Sequence, residues 1–396
     1  MSAPRVAVVG GGAIGSMAAW QLATRGFAVT VYERYWPGHN EGAGGGGTRM
    51  FRRVYAEGPA YGPLLDASWH LWRRLERATD TDLLHRTGGL SIGPAHHPVL
   101  AGGIAYAEQR GIPYEVLDAD ALTARYPQHT PLDGEIALFD PEAGVLRSNL
   151  AIRAALDAAV AHGAELRTGT TVHGVAEAPG GGVEVATATG TATATERHDH
   201  AVVAGGPWAR TLLPTLPLET RAIYHTWHFV EDRQLLRPER FPITLRRSGP
   251  DLSYGAMSAL DGTRVKLAPH ADYPRDVEDV DTMRRHVRAD WQHRSAALIR
   301  ALLPGVSPDP VESQIYPESF TPDGHAAVGA LDADARVVVL AGFSGHGFKL
   351  APGFGRAAAD LVATGTSALL PPDVALDRDF RAQVSIRDLV LDADPA

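Results

Sequence analysis

The chain begins with a short apolar run, Val6 to Val9, closed by glycines. A run of that length bounded by turn residues predicts a strand buried on both faces. From Ile14 to Thr24 the apolar spacing turns helical, with Met17, Ala18 and Leu22 facing inward, and Gly26 stops it. The stretch "FAVTVYE" then predicts a second strand ending at Glu33. Leu65, Trp69 and Trp72 stand at i, i+4 and i+7, the stripe of a long amphipathic helix. Leu150, Ile152, Ala155 and Leu156 predict another helix, with Ser148 as N-cap and Gly163 as its end. The run "VEVATATGTATATERHDHAVVAGG" from Val183 alternates Val and Thr around a Thr-Gly turn, which predicts a hairpin. "GGLSIGP", "AIYHTWHFVED" and "DLSYGAMSAL" predict strands of an antiparallel sheet, and "DVDTMRRHVRADWQHRSAALIRALLPG" predicts helices. A last helix follows Gly355. No apolar run reaches the length of a membrane span and none reads as a secretory core, so a cytoplasmic protein is expected.

Between the first strand and helix lie Gly10, Gly12 and Gly15, spaced G-x-G-x-x-G. Gly10 allows the tight turn, Gly12 lets backbone approach a pyrophosphate, and Gly15 lets helix and strand pack closely. The helix N-terminus offers N–H groups and positive dipole to the phosphates. Glu33 follows Gly15 by 18 positions and suits a ribose hydroxyl, while its charge repels a 2′-phosphate. Glycines, flanking strands and terminal acid together predict a bound dinucleotide. The fingerprint alone does not separate NAD from FAD.

Length, composition and charge narrow the function. A chain of 396 residues has room for two cores. A formal net charge of −9 disfavours nucleic acid or an anionic membrane as partner, though it leaves room for a local cationic pocket. There is no cysteine, which removes disulfides, thiolate metal sites, thiol catalysis and any thioether to a cofactor. His225 and His228 are three apart on a predicted strand and face opposite sides, so no shared metal is expected; one of them lines a cavity at most. No other spacing suggests a metal, and no serine has a nucleophile-elbow context.

The segment "EGAGGGGTRMFRRVYAEG" from Glu41 holds five glycines in six positions, then Thr48, Arg49, Arg52 and Arg53. Such glycines make a close-approach loop, not a core. A nicotinamide-binding unit would continue into another strand–helix repeat here. With "TGGLSIGP", "EAGVLRSNLAIRAAL", "VVAGGPWAR", "SYGAM", "VKLAPH", "FTPDGHAAVG" and "AGFSGHGFKLAPGFG", the chain resembles the flavoprotein amine oxidases of the monomeric sarcosine oxidase and N-methyltryptophan oxidase group, within the wider D-amino acid oxidase and glycine oxidase family. The resemblance covers nearly the whole chain. It implies an α/β fold: a Rossmann-like FAD-binding domain with an inserted α+β substrate domain on an antiparallel sheet. The FAD domain is expected from residues 1–86, 140–215 and 310–396, the substrate domain from 87–139 and 216–309.

The resemblance also implies roles. FAD would contact Gly10, Gly12, Ala13, Ile14, Gly15, Glu33, Arg34, Gly47, Thr48, Arg49, Val172, Gly205, Gly206, Trp208, Gly345, His346, Gly347, Phe348 and Lys349. Arg52 and Lys349 would bind the substrate carboxylate, and Tyr254 and Glu318 would line its cavity. Lys266 would act on O2, with Arg49, His270 and His346 as its catalytic neighbours. Partners would be an amine or amino-acid substrate and O2, in a monomer. Tyr316 falls where the group has a flavin-bonded cysteine, so FAD is expected to be non-covalent. Glu318 replaces a family tyrosine, which makes sarcosine itself a doubtful substrate. The activity expected is oxidation of a secondary amine, N-methyl amino acid or cyclic imino acid to imine and H2O2. The alternatives are an FAD-dependent dehydrogenase with another acceptor, a flavin-binding protein without amine turnover and, most remote, a nicotinamide dehydrogenase.

Overall fold

The computed structural model describes residues 3–270 and 277–381; positions 271–276 of the expected substrate domain and 382–396 of the expected FAD domain lie outside them. Two large sheets carry the fold. The first has six strands in the order Ala327–Ala330, Val337–Ala341, His200–Val203, Arg5–Val9, Ala28–Tyr32, Glu165–Arg167. All its pairings are parallel except the antiparallel edge strand Ala327–Ala330. Its apolar strands are buried on both faces, as parallel sheets require. One side is covered by the helices Ala13–Thr24, Ser148–Ala161 and Ala351–Thr364. The first and last of these cross closely because Gly355 has no side chain: a Cβ there would stand 2.5 Å from the Met17 carbonyl carbon.

The second sheet has eight strands: Val306–Phe320, Glu219–Val230, Arg264–Pro269, Tyr254–Ser258, Ile243–Arg246, Gly89–Pro94, Glu135–Asp140, Glu115–Leu117. Its pairings are antiparallel except that between Ile243–Arg246 and Gly89–Pro94. Residues 310 and 140, where domain limits were expected, both fall inside strands of this sheet. The predicted hairpin forms, with Val183–Thr189 antiparallel to Ala192–His198.

Three local expectations change. The helix Ser148–Ala161 starts at Ser148, with Arg147 in the cap position and no capping side chain; helix ends shift by a residue when neighbouring packing sets them. Leu150 lies on its outer face, 40% exposed. The charged run after Asp279 yields a single helix, Ala289–Leu302, and residues 279–288 are irregular. Asp281 and Arg285 of this stretch pair with other elements, as described below.

Candidate active site

One cavity of about 810 Å³ runs between the two sheets. At one end it is walled by Val9, Gly10, Tyr32, Glu33, Ala204, Gly205, Leu340 and Gly342. These stand at the carboxyl ends of four parallel strands, where doubly wound sheets hold their ligands. Gly10 has φ +95°, and a Cβ there would stand 2.6 Å from the Ala204 carbonyl oxygen. A Cβ on Gly15 would collide with the Gly10 carbonyl, so Gly15 serves the packing of helix on strand and does not line the cavity. Gly12, by contrast, faces open space. The helix it caps has no acid in its first turn and no capping side chain, so its first N–H groups are available to an anion. Glu33 is 4% exposed and accepts from the N–H groups of Gly11 and Tyr35, both at 2.7 Å. Burial pushes its carboxyl up, but His39 and those N–H groups outweigh it and hold it ionised. Glycines where a diphosphate must approach, and an ionised acid one helix away, fit a dinucleotide.

The other end is walled by the eight-stranded sheet. Strand alternation decides which side chains enter: Ile223 and His225; Gly255 and Met257; Lys266 and Ala268; Tyr316, Glu318 and Phe320. That parity corrects Tyr254. It is fully buried on the far face, packed with Leu267 and Leu298 instead of in the cavity. Gly47 and Thr48 do not line the cavity either. The Gly47 N–H donates to Asn149 Oδ1 at 2.7 Å, and the Thr48 carbonyl accepts from Lys266 Nζ at 2.9 Å and Arg49 Nη1 at 2.7 Å. The remaining residues expected to touch cofactor or substrate all line the cavity, and so does His225.

Lys266 is 2% exposed, donates also to the Gly46 carbonyl at 3.2 Å and lies over the Trp227 ring at 5.5 Å. Burial, with Arg49 beside it, pulls its ammonium well below the usual lysine range. His225 and His270 are held neutral in the same way, by burial and adjacent cations. Tyr316 donates to Gln314 Oε1, and its ring packs on the glycine loop: a Cβ on Gly45 would stand 2.5 Å from its Cε1. His346 bonds Tyr55 Oη through Nδ1 at 2.7 Å and the Gly324 carbonyl through Nε2 at 3.0 Å. Both ring nitrogens are engaged, so His346 positions its loop and has no nitrogen left for a reacting proton.

Sequence reasoning missed Glu57. It is 7% exposed, pairs with Arg52 Nη2 at 2.5 Å and stands 3.8 Å from Lys349 Nζ. Burial would raise its carboxyl, but Arg52 and Lys349 overcome this and hold it at about 2. Lys349 donates to the His346 carbonyl at 3.2 Å, and burial draws its ammonium down to about 8 despite Glu57. Two cations thus meet on one carboxylate, the donor chemistry that recognises carboxylates. The signal was present in "VYAEG", an acid five residues after Arg52. Glu318 faces the cavity between Arg49 and the Gly345 loop, and burial pushes its carboxyl up despite Arg49.

Among the described residues no helix is long and apolar enough to cross a membrane, and no group of three or more acids and histidines could hold a metal. Residues 5–361 match the DAO family, FAD dependent oxidoreductase. The chain is 34% identical over 373 residues to a monomeric sarcosine oxidase of Streptomyces avermitilis, covering 92% of this chain and 94% of that one. It is 30% identical over 354 residues to an N-methyl-L-tryptophan oxidase of Yersinia pestis, covering 89% and 93%. Among solved structures it is similar to NikD, an unusual amino acid oxidase essential for nikkomycin biosynthesis, at a TM-score of 0.80 and 25% identity over 95% of this chain and 98% of that one. Glycine oxidase from Geobacillus kaustophilus shares the fold, at a TM-score of 0.77 and 21% identity over 95% and 99%. With the dinucleotide cradle and these likenesses together, the chain belongs to the DAO family of FAD-dependent oxidoreductases and is an enzyme of the sarcosine oxidase-like kind.

Proposed function

We propose that the protein oxidises a secondary amine that carries a carboxylate, an N-methyl amino acid or cyclic imino acid, to the imine, with O2 as acceptor, H2O2 as product and FAD held without a covalent bond. The observation that carries this reading is the convergence of Arg52 and Lys349 on Glu57. A substrate carboxylate would share those two cations with Glu57, bonding through the guanidinium and ammonium hydrogens that Glu57 does not take. FAD, when bound, supplies the two-electron acceptor. The chain does the rest. Arg52 and Lys349 orient the substrate, and the apolar wall of Leu245, Met50 and Met257 excludes water. Glu318 adds a polar group that favours a substrate with a donor beyond its amine. Lys266, buried at the cavity wall, and Arg49 beside it would act on O2 as it is reduced. The absence of cysteine from the whole chain, with Tyr316 on the glycine loop, supports non-covalent FAD.

Anaerobic titration of the holoenzyme with a panel of secondary amines tests this. Flavin bleaching is expected with a carboxylate-bearing amine and not with the same amine lacking its carboxylate. Equal bleaching by both would refute the receptor. Acid precipitation should leave the flavin in the supernatant, and aerated turnover should release peroxide.

A further inference from the structure

The dinucleotide end of the cavity has a wall from outside the parallel sheet. Val277, Glu278, Asp279, Val280 and Asp281 line it beside Arg34, Tyr35 and Trp208. Asp281 is the tie. Arg34 Nη1 donates to both of its carboxylate oxygens at 2.8 Å, and Trp208 Nε1 donates to Oδ1 at 2.8 Å. Arg34 follows Glu33 on one side of the cradle, and Trp208 follows Gly205 and Gly206 on the other. Two more contacts fasten the segment. The Val277 N–H donates to the Thr220 carbonyl at 3.1 Å, and Arg285 Nη2 stands 3.2 Å from Glu41 Oε2. The Arg34 and Asp281 side chains are 35% and 40% exposed, so water competes for this pair.

We propose that Val277–Arg285 is a latch across the dinucleotide end, and that its opening controls how fast FAD loads and leaves. The inference rests on the non-covalent reading, since a bonded flavin needs no latch. Its kinetic signature is specific. If FAD passes only through the open state, release is the intrinsic rate scaled by the open fraction, and loading is scaled by the same fraction. Weakening the latch away from the ligand therefore speeds both rates together and leaves Kd nearly unchanged. Glu41→Gln is the variant that reads this, since Asp281 also holds Arg34 and Trp208 of the cavity lining. A residue that touches FAD directly would change Kd instead.

The test compares wild type with Asp281→Asn and Glu41→Gln. Release is followed by flavin fluorescence after dilution of the holoenzyme, and loading by fluorescence quenching when FAD meets the apoprotein. Thermal melts check the fold of each variant. Neutralising Asp281 removes a partly exposed ion pair and leaves the amide oxygen to accept from the Trp208 indole, so both rates should rise about two- to fivefold. Glu41→Gln, which breaks the outer tie away from the cavity wall, should raise both by a smaller factor. Unchanged rates in both variants would overturn the latch, as would a change in release alone, which makes Asp281 a direct ligand. Flavin retained in the acid-precipitated wild type would overturn the non-covalent reading and the latch with it. Freely extracted flavin with unaltered rates would overturn the latch only.

Discussion

Lys349 should set a pH ceiling on carboxylate binding. Its ammonium is buried 3.8 Å from Glu57 and titrates near about 8 because burial outweighs the attraction of Glu57. Arg52 supplies the second cation. Below pH 8 a ligand carboxylate therefore meets two cations, and above it one. The sign follows from which form binds: the protonated lysine is the receptor, so affinity is full below its pKa and falls as pH rises through it. Each pH unit above the bend weakens binding about tenfold, or about 1.4 kcal/mol. The fall stops when the neutral-lysine complex takes over. The total loss is that of one charge-assisted hydrogen bond, about 1.5–3 kcal/mol, or roughly 10- to 100-fold in Kd. Propionate is the suitable probe, because it has no amine to titrate. Its Kd would be read from the flavin absorbance shift of the holoenzyme from about pH 6 to about pH 10. Lys349→Met should bind weakly at all pH and lose the bend. Glu57→Gln should move the bend to lower pH, because the carboxylate that raises Lys349 is gone. A flat wild-type profile, or a bend that survives in Lys349→Met, would refute the reasoning.

Three further outcomes are expected. Lys266→Met should leave anaerobic reduction by substrate nearly intact and slow reoxidation by O2 about 100-fold, about 3 kcal/mol, in stopped-flow traces; an unchanged reoxidation rate removes Lys266 from that step. Arg246 and Glu135 form an ion pair with side chains 0% and 2% exposed, so Glu135→Ala strands a buried guanidinium and should cost about 3–5 kcal/mol by urea denaturation, far more than any exposed pair. Tyr316→Cys puts a thiol where the sequence resemblance implies a flavin-bonded cysteine, and part of the flavin should then stay with acid-precipitated chain; complete extraction would show that the register at Tyr316 is wrong.

The parts of the site legible in sequence are those whose physics is local. The cradle from Val6 to Glu33 was readable because strand, glycine turn, helix and acid follow one another within a single unit. Tyr254 was misplaced because alternation in "SYGAM" says that two sets of side chains face opposite ways, but not which set faces the cavity. The run after Asp279 has helical composition, yet Asp281 and Arg285 spend their charges on Arg34 and Glu41, partners more than 240 positions away. Tertiary pairing there overrides local propensity. Glu57 was overlooked for the same reason, since one of its two cations comes from the far end of the chain.

The electrostatics of the cavity bear on the amine as well as on the carboxylate. The charged groups at the substrate end form one coupled set. Arg49 and Lys349 act on Glu318, Arg52 and Lys349 on Glu57, Arg49 and Lys266 on His225, and Arg52 and Arg247 on His270. Among the described residues Arg49, Arg52 and Lys349 meet Glu57 and Glu318 at this end, inside a chain whose overall charge is −9. Both lysines are already drawn below their usual range, and both histidines are held neutral. A substrate ammonium placed among them meets the same burial and the same repulsion, which push it toward the neutral amine that oxidation requires. Its carboxylate is attracted by the field that repels its ammonium. Under the proposed function, one arrangement of charge would anchor the substrate by one end and prepare the other end for reaction.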